Sequence, residues 1–180
     1  MPEARVVTEK ILLTGRPGCG KTTLIKRVVN NLGLRAGGFY TAEIRAGDTR
    51  TGFKIVTLDG EQAVFAHVDL KTPQHLGKYR LDLSALEKIG VGAVRHAIRA
   101  RRLVVIDEIG PMEIRSAIFR EAVNEALDSP ESVSGVLATI FARSLPFTDA
   151  IKSRPDVTLI EVRPDNRDRL VSELSDRLRR

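Results

Sequence analysis

Apolar residues along this 180-residue chain fall into short unbroken runs and longer spaced ones. Lys10 to Thr14 is a short apolar run bounded by Gly15, which predicts a buried strand. Lys21 to Leu32 then sets Leu24, Ile25, Val28, Val29 and Leu32 on one helical face, with Gly33 as the expected stop. From Gly37 to Val68 the chain is rich in Phe, Tyr, Thr, Val and Ile. Polar breaks fall at Ala46-Gly47-Asp48 and Asp59-Gly60. Two or three antiparallel strands joined by hairpin turns are expected there, with a further short strand over Tyr79 to Leu83.

Leu86 to Ala100 reads as a helix, weakened by Gly90 and Gly92. Leu103 to Ile106 suits an interior parallel strand. Ile114 to Leu127 spaces Ile114, Ile118, Phe119, Ala122, Val123, Ala126 and Leu127 along one buried helical side. Strands at Val133 to Ile140 and Val157 to Val162 follow, with a short helix at Phe147 to Lys152 between them. The last helix, Asn166 to Arg180, turns Leu170, Val171, Leu174 and Leu178 inward. Strand and helix alternate over most of the length, so the expected fold is α/β, a mainly parallel sheet with helices on both faces. The antiparallel insert lies between the first helix and the Leu103 strand. No repeat, low-complexity tract or linker divides residues 1–180, so one domain is expected.

Gly15-Arg16-Pro17-Gly18-Cys19-Gly20-Lys21-Thr22 fits Gly-x4-Gly-Lys-Thr, between a predicted strand and a predicted helix. Glycines let the backbone approach phosphates, and successive N–H groups form one concave anion site. The helix start adds its free N–H groups and positive dipole end. Lys21 supplies a charge at the β- and γ-phosphates, and the Thr22 hydroxyl is a hard oxygen ligand suited to Mg²⁺. Cys19 is expected to be a small filler, with a reactive thiol as the alternative.

Leu103-Val104-Val105-Ile106-Asp107-Glu108 is an apolar strand ending in two acids, the Walker B pattern, and continues into Ile109-Gly110. Ligands of α/β sheets bind at the carboxyl ends of strands. Asp107 is therefore expected to join Thr22 in holding Mg²⁺, and Glu108 to orient or deprotonate the attacking water. Residues 103–110 join residues 15–22 as the expected nucleotide-binding set. Asp107-Glu108-Ile109-Gly110 also fits Asp-x-x-Gly of switch GTPases. The guanine-reading Asn-Lys-x-Asp is missing, since Asn166-Arg167-Asp168 has the wrong spacing and residue.

The residues now resemble a known family, the small P-loop nucleoside-triphosphatases of thermophiles and animals. The match runs through the phosphate loop with Thr23-Leu24-Ile25, Gly38-Phe39-Tyr40-Thr41, Gly52-Phe53 leading into Ile55-Val56-Thr57-Leu58, and Gly77-Lys78-Tyr79. It continues through Asp107-Glu108-Ile109-Gly110 with Met112-Glu113, Ala138-Thr139-Ile140, Arg154 and Asn166-Arg167. The resemblance implies a three-layer, RecA-like P-loop domain. It also implies Mg²⁺-dependent hydrolysis of ATP, GTP, CTP, UTP and TTP with broad base tolerance. Ala42 and Pro111 depart from the family pattern, which has Glu and, in animal members, Lys there. The alternative is a nucleoside, nucleotide or RNA-end kinase, although no clear arginine-rich lid is visible.

Arg143, Arg154 and Arg115 are candidates for a charge-stabilising arginine, with Arg154 preferred as a catalytic residue beside Lys21 and Glu108. Asn166 and Arg167 stand either as base or ribose contacts or as a helix cap. Tyr79 and Phe39 are expected in the core rather than stacked on a base. His67, His75 and His96 show no metal-ligand spacing. The net charge of +6 suits anionic ligands and leaves nucleic acid open as a partner, without any motif for it. Neither a secretory signal nor about 18 consecutive apolar residues is present, so no membrane contact is expected. A single cysteine suits a reducing, cytoplasmic setting, and a monomer is the simplest state.

Overall fold

The computed structural model describes residues 8–32, 36–129 and 133–179; the expected helix stop at Gly33 lies outside them. The chain opens with strand β1 (Lys10–Thr14) and helix α1 (Lys21–Leu32), as the apolar pattern predicts. Three strands follow, β2 (Ala36–Ala46), β3 (Thr49–Thr57) and β4 (Gln62–His67), turning at the two polar breaks. Short strands β5 (His75–Leu76) and β6 (Tyr79–Leu81) complete this region. Helix α2 (Leu83–Ala85) runs through a wide π turn (Leu86–Val91) into α3 (Gly92–Arg99). Then come β7 (Leu103–Ile109), α4 (Ala117–Asp128), β8 (Gly135–Ile140), α5 (Pro146–Lys152), β9 (Thr158–Glu161) and α6 (Arg167–Leu178).

The nine strands among the described residues form one sheet in the order β5-β6-β4-β3-β2-β7-β8-β1-β9. The β2-β7-β8-β1-β9 half is parallel, and the β2-β3-β4-β6-β5 half is antiparallel. The antiparallel segment is thus an extension of the same sheet, and β2 belongs to both halves. Residues 36–40 of β2 pair with β7, and Phe39 onward pairs with β3.

Period-two alternation splits the core between two faces. Ile11, Leu13, Leu103 and Val105 pack with Leu24, Val28, Leu170 and Leu174 under α1 and α6. Leu12, Val104, Ile106 and Ala138 pack with Phe39, Val94, Phe119 and Val123 under α3 and α4. Two helical layers around one sheet give the expected three-layer fold. Tyr79 is 8% exposed and Phe39 is fully buried, so both expected core aromatics are core.

Helix α4 begins three residues later than the apolar spacing suggests. The Ser116 hydroxyl caps it, accepting from the Phe119 amide at 3.0 Å, while Glu113–Arg115 forms a separate 3₁₀ turn. The buried face of α4 is Phe119, Ala122, Val123, Ala126 and Leu127, and Ile118, expected to be buried, is 39% exposed at its edge. Among the described residues no helix is long and apolar enough to cross a membrane.

Candidate active site

Local sequence builds the phosphate loop between β1 and α1. Gly15, Gly18 and Gly20 all hold positive φ, of 147°, 77° and 94°, so the loop curls back over the helix start. The Lys21 ammonium lies across it, donating to the Gly15 and Arg16 carbonyls at 3.1 and 3.2 Å. Cys19 is buried, its sulfur packed against Gly15, in the filler role.

Strand β7 continues past its apolar run and carries Asp107 to the foot of this loop. The Thr22 hydroxyl donates to Asp107 Oδ2 at 2.6 Å, and the Thr139 hydroxyl from β8 donates to Oδ1 at 2.6 Å. Asp107 is only 2% exposed. Burial pushes its pKa up, opposed by the Thr139 and Thr22 hydroxyls and then by the charge of Lys21. A buried carboxylate flanked by a hydroxyl is a hard-oxygen set that suits Mg²⁺. Among the described residues no cluster of three or more His, Cys, Asp or Glu side chains could hold a metal. Such a site needs further oxygens from phosphate and water, the usual habit of Mg²⁺.

Glu108 is half-buried and lines a cleft of about 760 Å³. Burial first, then the Asp107 charge, raises its pKa, while Lys21 lowers it. The cleft runs from Gly15, Arg16, Pro17 and Lys21 on the loop to Thr41 and Phe53 on the antiparallel strands. Pro111, Met112, Glu113, Phe141, Ala142 and Arg143 complete its wall. Buried Glu113 has its pKa pushed up to about 8 by desolvation and then by the nearby Glu108 charge. Gly110 separates the two carboxyls: a Cβ there would lie 3.0 Å from Glu113 Oε2 and 3.3 Å from Glu108 Oε1.

The sequence expectations divide at this point. The phosphate loop, Asp107 and Glu108 are brought together. Leu103, Val104, Val105 and Ile106 are not: all are at most 1% exposed, with side chains in the two cores. They set the position of Asp107 and cannot touch a nucleotide. Ile109 is likewise buried, and Gly110 spaces the carboxyls.

Arg154 is also not brought to the cleft. It pairs with Asp156 at 3.0 Å and with Asp128 at 2.8 Å. Asp156 in turn holds the ammonium of Lys10, the first residue of β1. This cluster therefore sits at the N-terminal end of the parallel strands, and the phosphate loop leaves the opposite end. Arg154 precedes β9, whose start must lie at that far end because β9 runs parallel to β1. Of the three candidate arginines, Arg143 lines the cleft.

The Lys10–Asp156–Arg154 cluster carries a stability prediction. Arg154 first and Lys10 second hold the Asp156 carboxyl well below the usual carboxylate range. Lys10 is 7% exposed, so losing its partner strands a buried charge. Asp156→Asn is expected to cost on the order of 2 kcal/mol, less than for a wholly buried pair because Asp156 is 41% exposed. A depressed folded pKa contributes stability that is fully present above the unfolded value of about 4 and is lost progressively as pH falls from there through the lower folded value. Urea denaturation should therefore show the gap between wild type and variant at pH 7 shrinking towards pH 3, with unchanged catalytic rate at pH 7.

Thr139 and Glu113 emerge only in three dimensions as members of the site. Thr139 is a hydroxyl inside an otherwise apolar strand, a signal visible in sequence but silent about its partner. Glu113 approaches Glu108 because a tight 3₁₀ turn folds it back.

Comparison with known proteins agrees with this geometry. The profile of the family described as NTPase matches residues 10–175. A nucleoside-triphosphatase THEP1 of Thermotoga maritima is 48% identical over 165 residues, covering 92% of each chain. The Homo sapiens cancer-related nucleoside-triphosphatase is 35% identical over 177 residues, covering 91% of this chain and 93% of the human one. The crystal structure of THEP1 from Aquifex aeolicus superposes with a TM-score of 0.86 at 37% identity, covering 95% of this chain and 99% of that one. The solution structure of the human protein gives 0.80 at 34% identity, covering 95% and 97%. Fold, phosphate loop and sequence therefore agree over nearly the whole length, and the chain belongs to the NTPase family of P-loop proteins.

Proposed function

We propose that this protein hydrolyses nucleoside 5'-triphosphates to the diphosphate and phosphate, in a Mg²⁺-dependent reaction tolerant of ATP, GTP, CTP, UTP and TTP. The observation that carries this reading is the Thr22–Asp107–Thr139 hydrogen-bond chain, which ties the end of β7 to the phosphate loop, with Glu108 lining the cleft beside it. Backbone N–H groups of the loop, all of residues 15–22 but Pro17 having one, and the Lys21 ammonium bind the phosphate oxygens. Thr22 and Asp107 would hold Mg²⁺, which when bound neutralises charge on those oxygens. Glu108 takes a proton from water as the water oxygen bonds to the γ-phosphorus and the bond to the β-phosphate oxygen breaks.

Arg143 is the arginine that balances charge developing at the cleft, in place of Arg154. No guanine-reading element accompanies the loop, which fits broad base tolerance. A monomer is the state proposed: among the described residues the exposed large apolar side chains, Val64, Ile118 and Leu159, lie on three different elements.

Lys21→Ala tests the assignment. Phosphate release from ATP should fall about a hundredfold or more, because the charge is lost where the transition state gains negative character. A variant that releases phosphate at the wild-type rate would sink it. With γ-labelled ATP and nucleoside acceptors present, the label should appear as free phosphate; label on an acceptor would mark a kinase instead.

A further inference from the structure

Asp107 and Glu108 reach the phosphate loop from the β7 and β8 side of β1, and β9 lies on the other side. Under the hydrolase reading above, the attacked γ-phosphate faces the β7 side. A phosphate chain continued along the loop away from β7 points towards the connection between β9 and α6, and the nucleoside is expected there.

Arg167, the first residue of α6, occupies that place. A Cβ on Gly20 would lie 2.7 Å from Arg167 Nη1 and 2.9 Å from its Cδ, so the side chain rests directly on the loop backbone. Its position is set from behind. Asn166 is 8% exposed, donates to the Glu161 carbonyl at 2.9 Å and accepts from the Arg163 amide at 2.8 Å, which closes residues 161–166 into a fixed turn.

The guanidinium is nevertheless unspent. Its Nε is buried with no partner, and the side chain makes no hydrogen bond or ion pair among the described residues. Neighbouring carboxylates are bonded elsewhere, Asp165 to Arg163 and Asp168 to Arg27. Buried donors are seldom left without an acceptor, which a bound ligand or a water supplies when the protein does not. A guanidinium also offers a flat cationic face, on which any base stacks without its edge being read.

We propose that Arg167 forms the nucleoside subsite, its guanidinium plane lying against the base and its free N–H groups towards ribose oxygens, while the phosphate loop holds the phosphates. This rests on the phosphate assignment above. It accounts for base tolerance by a contact common to every nucleotide. Gly20 is required because the arginine stem fills the space of a side chain there.

Equilibrium titration with ligands that are not triphosphates separates this subsite from hydrolysis. Arg167→Met keeps the stem on Gly20 and removes the planar cation. Its affinity for ADP, GDP, CDP and UDP should fall roughly tenfold, with pyrophosphate affinity unchanged, as expected for one lost stacking contact. Retained pyrophosphate binding also shows that the loop is folded. Arg167→Lys should lose diphosphate affinity similarly, because an ammonium has no face. Unchanged diphosphate affinity overturns the proposal. So does a parallel loss for pyrophosphate, which would make Arg167 a support of the loop, or full rescue by lysine, which would make it only a charge. If wild type bound these ligands as stated but hydrolysed no triphosphate, the hydrolase reading would fail and the subsite would stand.

Discussion

Glu108→Gln is expected to lower the rate of phosphate release about a thousandfold while leaving nucleotide affinity within roughly threefold, since a positioned general base contributes ~10²–10⁴. The amide keeps the volume and the half-buried place of the side chain but cannot accept a proton. Burial and the Asp107 charge raise the Glu108 pKa, which brings the base closer to working pH and makes it stronger. The base works only when ionised. Wild-type activity should therefore decline on acidification at a pH above the ordinary glutamate range, and the variant's residual activity should lack that limb. Phosphate release from pH 5 to 9, alongside nucleotide titration of both proteins, checks each part. A variant within tenfold of wild type would assign the proton to another group.

Gly38→Ala is expected to cost about 4 kcal/mol or more of folding stability, enough to leave little folded protein. Gly38 lies in β2 beside β7, with φ at +114°, and a Cβ there would be 2.0 Å from the Val105 carbonyl oxygen. That obstacle is backbone in the central parallel strand, so no rotamer change relieves it. The loss should extend to function, because β7 delivers Asp107 and Glu108. Gly47→Ala is the control. Gly47 has φ at +59° in the turn between β2 and β3, but nothing lies within 4 Å of the added carbon. Only the conformational penalty remains there, about 1 kcal/mol. Soluble yield and urea midpoints should separate the two alanines clearly; equal stability would contradict the steric account.

Most of the site was legible because its signals are local. The phosphate loop needs its glycines, lysine and threonine at fixed spacing within one turn of chain, and β1 and α1 have the bounds their apolar positions predict. Longer-range features were less visible. The apolar run of β7 stops at Ile106, yet the strand persists to Ile109, which pairs with Ile140 across two acids whose polarity belongs to the site. Gly90 weakened the helix prediction, but its role is packing: a Cβ there would lie 3.3 Å from the Phe39 ring. Arg154 lies away from the cleft, contrary to the sequence expectation, because an arginine's partner is a tertiary fact. Asp128 and the Lys10-bound Asp156 hold it at the far end of the sheet. Arg167 carried two readings in sequence, and only its unpartnered Nε and its contact with Gly20 favour the ligand-facing one.

The central claim is triphosphate hydrolysis at one phosphate loop without choice of base. Phosphate release from ATP, GTP, CTP, UTP and TTP by the wild-type protein, with Mg²⁺ and with excess chelator, tests it most directly. Release is expected from all five at rates within about one order of magnitude, lost on chelation and lost again in Lys21→Ala. Release that survives both chelation and Lys21→Ala, or release from one nucleotide alone, would contradict it.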